Sequence, residues 1–168
     1  MAAAQTSSSS SDAQAAPRKR PKPGERRIQI LQTLAAMLEQ PGAERITTAA
    51  LAARLEVSEA ALYRHFASKA QMFEGLIEFI ETSIFSLLNQ IAERSDAAEV
   101  KARHMVTVLL QFAQRNPGMA RVMVGDALVF ENDRLEQRMN QFFERFESSL
   151  RQVLRDQAQA TSSLTPTV

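Results

Sequence analysis

Apolar residues recur every three to four positions along most of the chain after Glu25, which is the period of an amphipathic α-helix. Helix-forming Ala, Leu, Gln, Glu and Arg dominate the composition, so we expect an all-α fold. The pattern predicts seven helices, at about 26–40, from Thr47 or Thr48 onward, and at about 58–66, 68–94, 97–115, 119–130 and 132–159.

Three of these helices show which face should be buried. In the first, the inward residues are Ile28, Leu31, Leu34, Ala35 and Leu38. In the fourth, the stripe is Phe73, Leu76, Ile77, Ile80, Ile84, Leu87, Leu88 and Ile91. The fifth helix is apolar on nearly all sides at its centre, which predicts that it lies in the middle of a bundle.

The second and third helices have the pattern of a helix-turn-helix. Ser58 can cap the third helix through its hydroxyl, while Val57 and Leu62 form a hydrophobic staple around that cap. The turn between the helices is only Glu56-Val57, as tight as this motif requires. Glu56 there costs on the order of 1 kcal/mol if its φ is positive.

Breaks and caps divide the chain further. Pro41-Gly42 and Asn116-Pro117-Gly118 should end helices, and Ser68 to Gln71 reads as a capping box that opens the fourth helix. We therefore expect a disordered Ala/Ser leader and basic arm over 1–25 and a helix-turn-helix domain over 26–70. A helical regulatory or partner-binding bundle over 71–160 and a frayed tail over 161–168 follow.

Several classes of protein are disfavoured by composition. The chain has no cysteine, which removes disulfides and thiolate zinc sites. No apolar run approaches the roughly 20 residues that cross a bilayer, and the N-terminus lacks the apolar segment of a secretory signal. There is no glycine-rich phosphate loop and no paired acid and base, so we do not expect an enzyme or a cofactor.

Charge is distributed unevenly along the chain. Residues 17–70 contain ten Lys/Arg against five Asp/Glu, whereas residues 71–168 contain ten against thirteen. A basic front half that also holds a helix-turn-helix points to nucleic acid. The basic arm, comprising Arg18, Lys19, Arg20, Lys22, Arg26 and Arg27, is either a solvated linker or a segment that lies along phosphates.

The run from Ile46 to Lys69, I-T-T-A-A-L-A-A-R-L-x-V-S-E-A-A-L-Y-R-H-F-x-S-K, resembles the DNA-binding domain of TetR-type regulators. The resemblance implies a TetR-like fold, with an N-terminal three-helix domain followed by a helical bundle. Glu56 and Ala67 stand where Gly and Pro are common in that family.

The helix-turn-helix geometry suggests a role for each exposed residue of the motif. The front of the third helix would enter the major groove, so that Ser58, Ala60 and Ala61 face bases. Phosphates would be bound by Thr47, Thr48, Tyr63, His65 and Lys69. Two assignments stay open, because Tyr63 could instead pack against the first helix and Arg64 is either a phosphate contact or a surface residue.

Segments beyond the motif resemble the nucleoid occlusion factors within this family: Phe73–Glu81, Gln114–Gly118, Ala127–Leu135 and Arg138–Arg155. The resemblance implies a cytoplasmic, nucleoid-associated protein that binds double-stranded DNA and antagonises the division protein FtsZ. Phe79, Arg115 and Asn116 match the face that binds the FtsZ C-terminal tail. From its helical position alone, Phe79 either packs beneath the first helix or anchors a partner.

The resemblance also implies a homodimer. The family is expected to have two further helices that pair with a second subunit, and the sequence T-S-S-L-T-P-T-V at 161–168 does not match them, so we expect this chain to lack them. The competing interpretation is an ordinary TetR-type repressor whose bundle binds a small apolar effector in a pocket lined by its fourth to seventh helices.

Overall fold

The computed structural model describes residues 22–40, 42 and 45–163 of the 168-residue chain. The Ala/Ser leader, three residues of the basic arm (Arg18, Lys19 and Arg20), Pro41 and the last five residues lie outside this part. The described residues form helices α1 Pro23–Leu38, α2 Thr48–Arg54, α3 Glu59–Tyr63, α4 Lys69–Ala92, α5 Ala98–Arg115, α6 Pro117–Met123 and α7 Asp133–Ser163. A 3-10 turn at Asp126–Leu128 precedes α7. The all-α prediction is confirmed.

The N-terminal unit consists of α1, α2 and α3, with α2 packed on both other helices. The first helix begins at Pro23, three residues earlier than predicted, because proline is tolerated where a helical N–H has no acceptor. The third helix ends at Tyr63 rather than at Phe66. Its last turn tightens instead, with the His65 N–H bonded to the Leu62 carbonyl at 2.9 Å.

The turn between α2 and α3 is a Schellman motif that lacks its usual glycine. The Val57 N–H donates to the Ala52 carbonyl at 3.0 Å, and the Glu56 N–H donates to the Ala53 carbonyl at 3.1 Å. Glu56 has a φ of 55°, so the left-handed conformation considered from sequence is present. A residue with a Cβ is strained there by about 1 kcal/mol.

The long helix α4 runs from the N-terminal unit into the body of the protein. Its Ser68 cap accepts from the Gln71 N–H at 3.2 Å, as the capping box predicts. The return half of the box differs, because the side-chain amide oxygen of Gln71 accepts from the Ala67 N–H, at 2.9 Å, and not from the Ser68 N–H. The stripe of α4 is buried as predicted except at Leu87, which is exposed, while Met72 and Phe85 are buried in addition.

The body of the protein is built from α4, α5 and α7, which all pack against one another. Arg138 of α7 clamps Glu81 of α4 with two hydrogen bonds of 2.7 and 3.1 Å. That hydrogen bond to Glu81 raises the pKa of Arg138 above its ordinary value, so the guanidinium stays charged in its half-buried position. In the described part of the chain, no helix combines the length and apolar character needed to span a membrane.

Three sequence predictions about helices are wrong. The sixth helix stops at Met123 instead of Phe130, because Gly125 adopts a left-handed φ of 83° and starts a new turn. The seventh helix runs on to Ser163, three residues into the predicted tail. The fifth helix is not central. Only Ala98 and Met105 of α5 are fully buried, and Leu110 is 63% exposed, because α5 covers one side of the bundle.

In α1 the inward face is rotated slightly from the predicted one. Ile30 is fully buried, whereas Ile28 is 57% exposed. The remaining predicted positions Leu34, Ala35 and Leu38 are buried, and Leu31 is half-buried against α4. The core of α1 is therefore shared between the N-terminal unit and the body.

The junction between α1 and α6 joins the N-terminal unit to the body. A Cβ built on Gly118 would lie 2.1 Å from the Ala35 carbonyl oxygen, so only glycine lets the two backbones approach this closely. Arg121 of α6 donates to the Leu38 carbonyl at 2.9 Å and to Asp126 at 2.6 Å. The α6 helix thus rests directly on the carboxyl half of α1.

We expect Gly118→Ala to lower the free energy of unfolding by roughly 2 to 4 kcal/mol, because the added methyl must push α6 away from α1. The matched control is Gly24→Ala in α1, where an added Cβ meets nothing within 4 Å. Urea denaturation followed by circular dichroism measures both. Equal stability of the two variants would contradict the close α1–α6 contact.

Candidate nucleic-acid interface

The candidate interface is formed by the start of α2 and the exposed side of α3. Thr47 caps α2 by accepting from the Ala50 N–H at 3.1 Å, and Ser58 caps α3 by accepting from the Ala61 N–H at 3.2 Å. Both residues are exposed despite these bonds. Each hydroxyl keeps its own proton to donate, so a cap and a contact with DNA are compatible.

Leu62 and Phe66 anchor the recognition segment to the core. Both are almost completely buried, and Val57 is half-buried before the Ser58 cap, as the staple predicts. The opposite side of α3 is left to solvent, with Ala60 and Arg64 exposed and Ala61 half-buried. Small side chains at this end allow the backbone of α3 to approach a groove wall closely.

Tyr63 is tied to α2 through a chain of hydroxyl groups. Its phenol donates to the Thr48 hydroxyl at 3.4 Å, and Thr48 donates to the Glu59 carboxylate at 2.8 Å. Tyr63 nevertheless stays 45% exposed. Glu59 has no role in the interpretation from sequence, although it lies one helical turn before Tyr63 and so shares its face, a spacing that was visible in the sequence.

Two cationic residues assigned to phosphates are engaged inside the protein. Arg27 donates to the His65 carbonyl, and its guanidinium stacks 4.1 Å from the centre of the Phe66 ring. Lys69 pairs with Glu131 at 2.5 Å. In the free protein Arg27 therefore ties α1 to the end of α3, and the phosphate contact of the arm interpretation stays a prediction. A phosphate contact by Lys69 would require it to leave Glu131.

The other predicted contacts occupy the same end of the molecule. Lys22 is exposed, Arg26 is half-buried, and His65 is half-buried beside Phe66. Arg45 and Arg54, which sequence reasoning did not select, line a shallow depression together with Thr47. The sequence does contain a signal for these two residues, because both are basic and flank a predicted phosphate-binding turn.

A second candidate surface lies where α4 meets the end of α5. Phe79 is 49% exposed, and its ring centre lies 6.2 Å from that of Phe112. Phe79 therefore packs against α5, not beneath α1. Asn116 donates to the Phe112 carbonyl at 2.8 Å, and Arg115 is exposed beside it. Phe112 thus links Phe79 to the last turn of α5, where Arg115 and Asn116 lie.

No group of three or more metal-ligating side chains comes together within the described ranges. The candidate surfaces present hydroxyls, cations, exposed aromatic rings and the carboxylate of Glu59.

Comparison with known proteins identifies the family. Residues 30–76 match a family model described as bacterial regulatory proteins of the tetR family, and residues 96–164 match a SlmA-like model described as a Tetracyclin repressor-like C-terminal domain. The nucleoid occlusion factor SlmA of Photobacterium profundum is 58% identical over 132 residues, which cover 78% of this chain and 67% of that protein. The chain belongs to the SlmA family.

Two further SlmA proteins show the same extent of likeness. The protein of Vibrio cholerae is 58% identical over 78% of this chain and 67% of its own length, and that of Aliivibrio fischeri is 57% identical over 81% and 70%. The matched region thus spans about two thirds of these SlmA relatives.

The fold has a counterpart among solved structures. The TetR family transcriptional regulator PfmR from Thermus thermophilus superposes with a TM-score of 0.66 over 83% of this chain and 75% of its own, at 21% identity. At that identity the likeness concerns the fold alone. It confirms the TetR-like architecture predicted from the sequence of this SlmA-family chain.

We expect Arg27→Ala to lower the free energy of unfolding by about 1 to 2 kcal/mol, because it removes both the stacking on Phe66 and the bond to His65. Arg26→Ala is the matched control, since it makes the same change of charge one residue earlier. Arg26→Ala should lower the free energy of unfolding by less than about 0.5 kcal/mol. Thermal or urea unfolding distinguishes the two, and equal losses would mean that Arg27 has no bracing role.

Proposed function

We propose that this chain is a sequence-specific DNA-binding nucleoid occlusion factor which, when bound to DNA, antagonises FtsZ polymerisation and blocks septum assembly over the chromosome. The observation that carries the proposal is the match to SlmA proteins through the body as well as the helix-turn-helix. A helix-turn-helix alone is shared by many regulators with different effects, whereas the body differs between them.

In this proposal residues 26–70 bind DNA and residues 71–160 form the partner-binding bundle. The front of α3 enters the major groove with Ser58, Ala60 and Ala61 towards the bases. The phosphate contacts are made by Thr47, Thr48, Tyr63, Arg64, His65 and Lys69, with Lys69 exchanging Glu131 for a phosphate. The exposure of Tyr63 and Arg64 and the net charge of +5 over residues 17–70 support this assignment.

The partner surface is the corner of Phe79, Arg115 and Asn116. A half-exposed ring braced by a second ring presents a preformed apolar anchor, which is the kind of residue that dominates protein interfaces. The guanidinium of Arg115, exposed at the end of α5, suits a carboxylate. Together they fit a short acidic peptide with an apolar side chain, the chemistry we propose for the C-terminal tail of FtsZ.

We further propose that the protein works in the cytoplasm, associated with the nucleoid. It binds DNA as the homodimer that the family resemblance implies, although residues 161–168 do not match the helices that pair the subunits in that family. A two-fold dimer of helix-turn-helix units places its recognition helices about 34 Å apart, one turn of the duplex. Each subunit then reads one half-site. Binding through a single half-site would be much weaker, since half of the phosphate and base contacts are lost.

One cleft in the bundle bears on the alternative, a TetR-type repressor with a small effector. A cleft of about 830 Å³ opens between the ends of α4, α5 and α7, with Leu88, Met105 and Val153 in its lining. Polar residues also line it, and two of its cations are already engaged. Lys101 donates to the Ala92 carbonyl at 2.9 Å, and Arg145 stacks 3.9 Å from Phe85. Such a surface cleft suits an apolar effector less well than an enclosed pocket does.

The DNA-binding part of the proposal predicts that Tyr63→Ala weakens duplex binding about tenfold, because a phosphate contact and the bond to Thr48 are lost together. Tyr63 is the only tyrosine and the chain has no tryptophan, so its fluorescence reports on this one position. Binding by the unmodified chain should change that fluorescence. If Lys and Arg neutralise about six phosphates per site, log affinity should fall against log salt with a slope of about −5.

Phe143→Ala is the control for this measurement, because Phe143 is an exposed aromatic residue on α7. Its duplex affinity should equal that of the unmodified chain in a fluorescence-anisotropy titration. If Tyr63→Ala binds duplex as tightly as the control, α3 is not the DNA-reading element.

The partner part predicts that Phe79→Ala weakens binding of a synthetic FtsZ tail peptide roughly tenfold or more, since the ring is the central anchor. Leu87→Ala, an exposed apolar residue two turns further along α4, should bind the peptide normally. With duplex added, the unmodified chain should reduce the FtsZ polymer recovered by sedimentation, and Phe79→Ala should not. Polymers that ignore the unmodified, DNA-bound chain would favour the repressor alternative.

A further inference from the structure

Glu59 places a carboxylate in the middle of the surface that should meet phosphates. It is the first residue of α3 and is exposed, directly between the Ser58 cap and Ala60. An anion at this position is favourable for the isolated helix, because the helix dipole is positive there. For an interface with a polyanion the same charge is unfavourable, so its presence calls for a function.

The carboxylate also controls the two hydroxyl donors beside it. Glu59 accepts the proton of Thr48 at 2.8 Å, and Thr48 in turn accepts the proton of Tyr63 at 3.4 Å. In the free protein the proton of Thr48 is thus directed toward Glu59, and the proton of Tyr63 toward Thr48. To bind a phosphate, either hydroxyl must give up a bond within this network, and the bond to a carboxylate is the stronger one.

We propose that Glu59 sets the sequence specificity of the interface by opposing phosphate binding unless the DNA supplies a donor for its carboxylate. This inference rests on the proposed DNA-binding function. On arbitrary sequence, Glu59 repels the backbone and retains Thr48 and Tyr63. Where base-edge amino groups face α3, they replace Thr48 as the donor, and both hydroxyls become available for phosphates.

The chemistry of the groove edge makes this exchange selective. In the major groove only cytosine N4 and adenine N6 carry amino donors, whereas guanine and thymine present acceptors that repel a carboxylate. A carboxylate therefore gains a bond on some base pairs and incurs repulsion on others. Neutral side chains such as Ala60 and Ala61 discriminate less, because they offer only apolar contact.

The test uses two duplexes of equal length and the full chain. One is the duplex that the unmodified chain enriches from a random 20-base-pair library, and the other has the same composition in shuffled order. Glu59→Gln keeps an oxygen acceptor for Thr48 but removes the charge. We expect its affinity for the shuffled duplex to rise about fivefold, the effect of one unit charge near phosphate in water. The affinity of Glu59→Gln for the enriched duplex should not rise. The specificity ratio, which is the affinity for the enriched duplex divided by that for the shuffled duplex, therefore falls by at least about fivefold.

Glu56→Gln is the matched control, since it removes the same charge from the turn between the same two helices. It should leave the ratio of the two affinities unchanged. Glu59→Ala tests whether Glu59 acts through the hydroxyl network. Because it removes the carboxylate that accepts from Thr48, it should shift the fluorescence of Tyr63 in the free protein, whereas Glu56→Gln should not. Thermal unfolding of each variant verifies that it is folded.

The outcomes separate the inference from the function on which it rests. If the unmodified chain enriches no sequence, the proposed DNA-binding function fails and the inference with it. If it enriches a sequence but Glu59→Gln keeps the specificity ratio, only the inference is overturned. An equal gain of shuffled-duplex affinity in Glu56→Gln would also overturn it, because the effect would then be one of net charge.

Discussion

The arrangement of the whole molecule depends on how closely α1 and α6 approach. With no Cβ at Gly118, the backbone of α6 rests on the Ala35 carbonyl, and Arg121 fixes the end of α1 through Leu38. At its other end α1 holds α3 through Arg27 and Phe66. One helix thereby sets the orientation of the recognition element relative to the bundle, and a displacement of α6 would be transmitted to α3.

The same junction relates the two candidate surfaces to each other. Asn116 belongs to the partner corner, and Gly118, two residues later, makes the contact with α1. The proposed partner corner and the proposed DNA-reading helix are therefore connected by a short path of packed backbone, not by a flexible linker. A protein whose two activities depend on one another benefits from such rigidity, because binding at one end is not absorbed by motion between the ends.

Local rules explain which features could be predicted from sequence. Caps at Thr47, Ser58 and Ser68 depend on neighbours within four residues, and all three are present. The strained turn at Glu56 follows from two helices that leave no room for a longer connection. The TetR-like fold was equally accessible, because the motif from Ile46 to Lys69 extends over a continuous run of sequence.

Features that depend on distant residues could not be predicted. The apolar centre of α5 indicated burial, but a residue's surroundings are decided by which helices lie on either side, and α5 is peripheral. The pairing of Lys69 with Glu131 joins residues 62 positions apart. Similarly, Arg27 looked like part of a free arm because its partners Phe66 and His65 come together only when α1 folds against α3. The caps of the candidate site were therefore accessible from sequence, whereas the ion pairs and long-range hydrogen bonds around it were not.

The Lys69–Glu131 pair has a consequence for the thermodynamics of complex formation. An ammonium group that already has a carboxylate neighbour carries few mobile ions, and on reaching a duplex it leaves that carboxylate to attract a cation from solution. The net number of ions released on binding would then be smaller than the number of positive side chains that contact the nucleic acid. For such a protein, the number of counterions released depends on ion pairs that are exchanged, such as Lys69 leaving Glu131 for a phosphate, as well as on newly formed contacts.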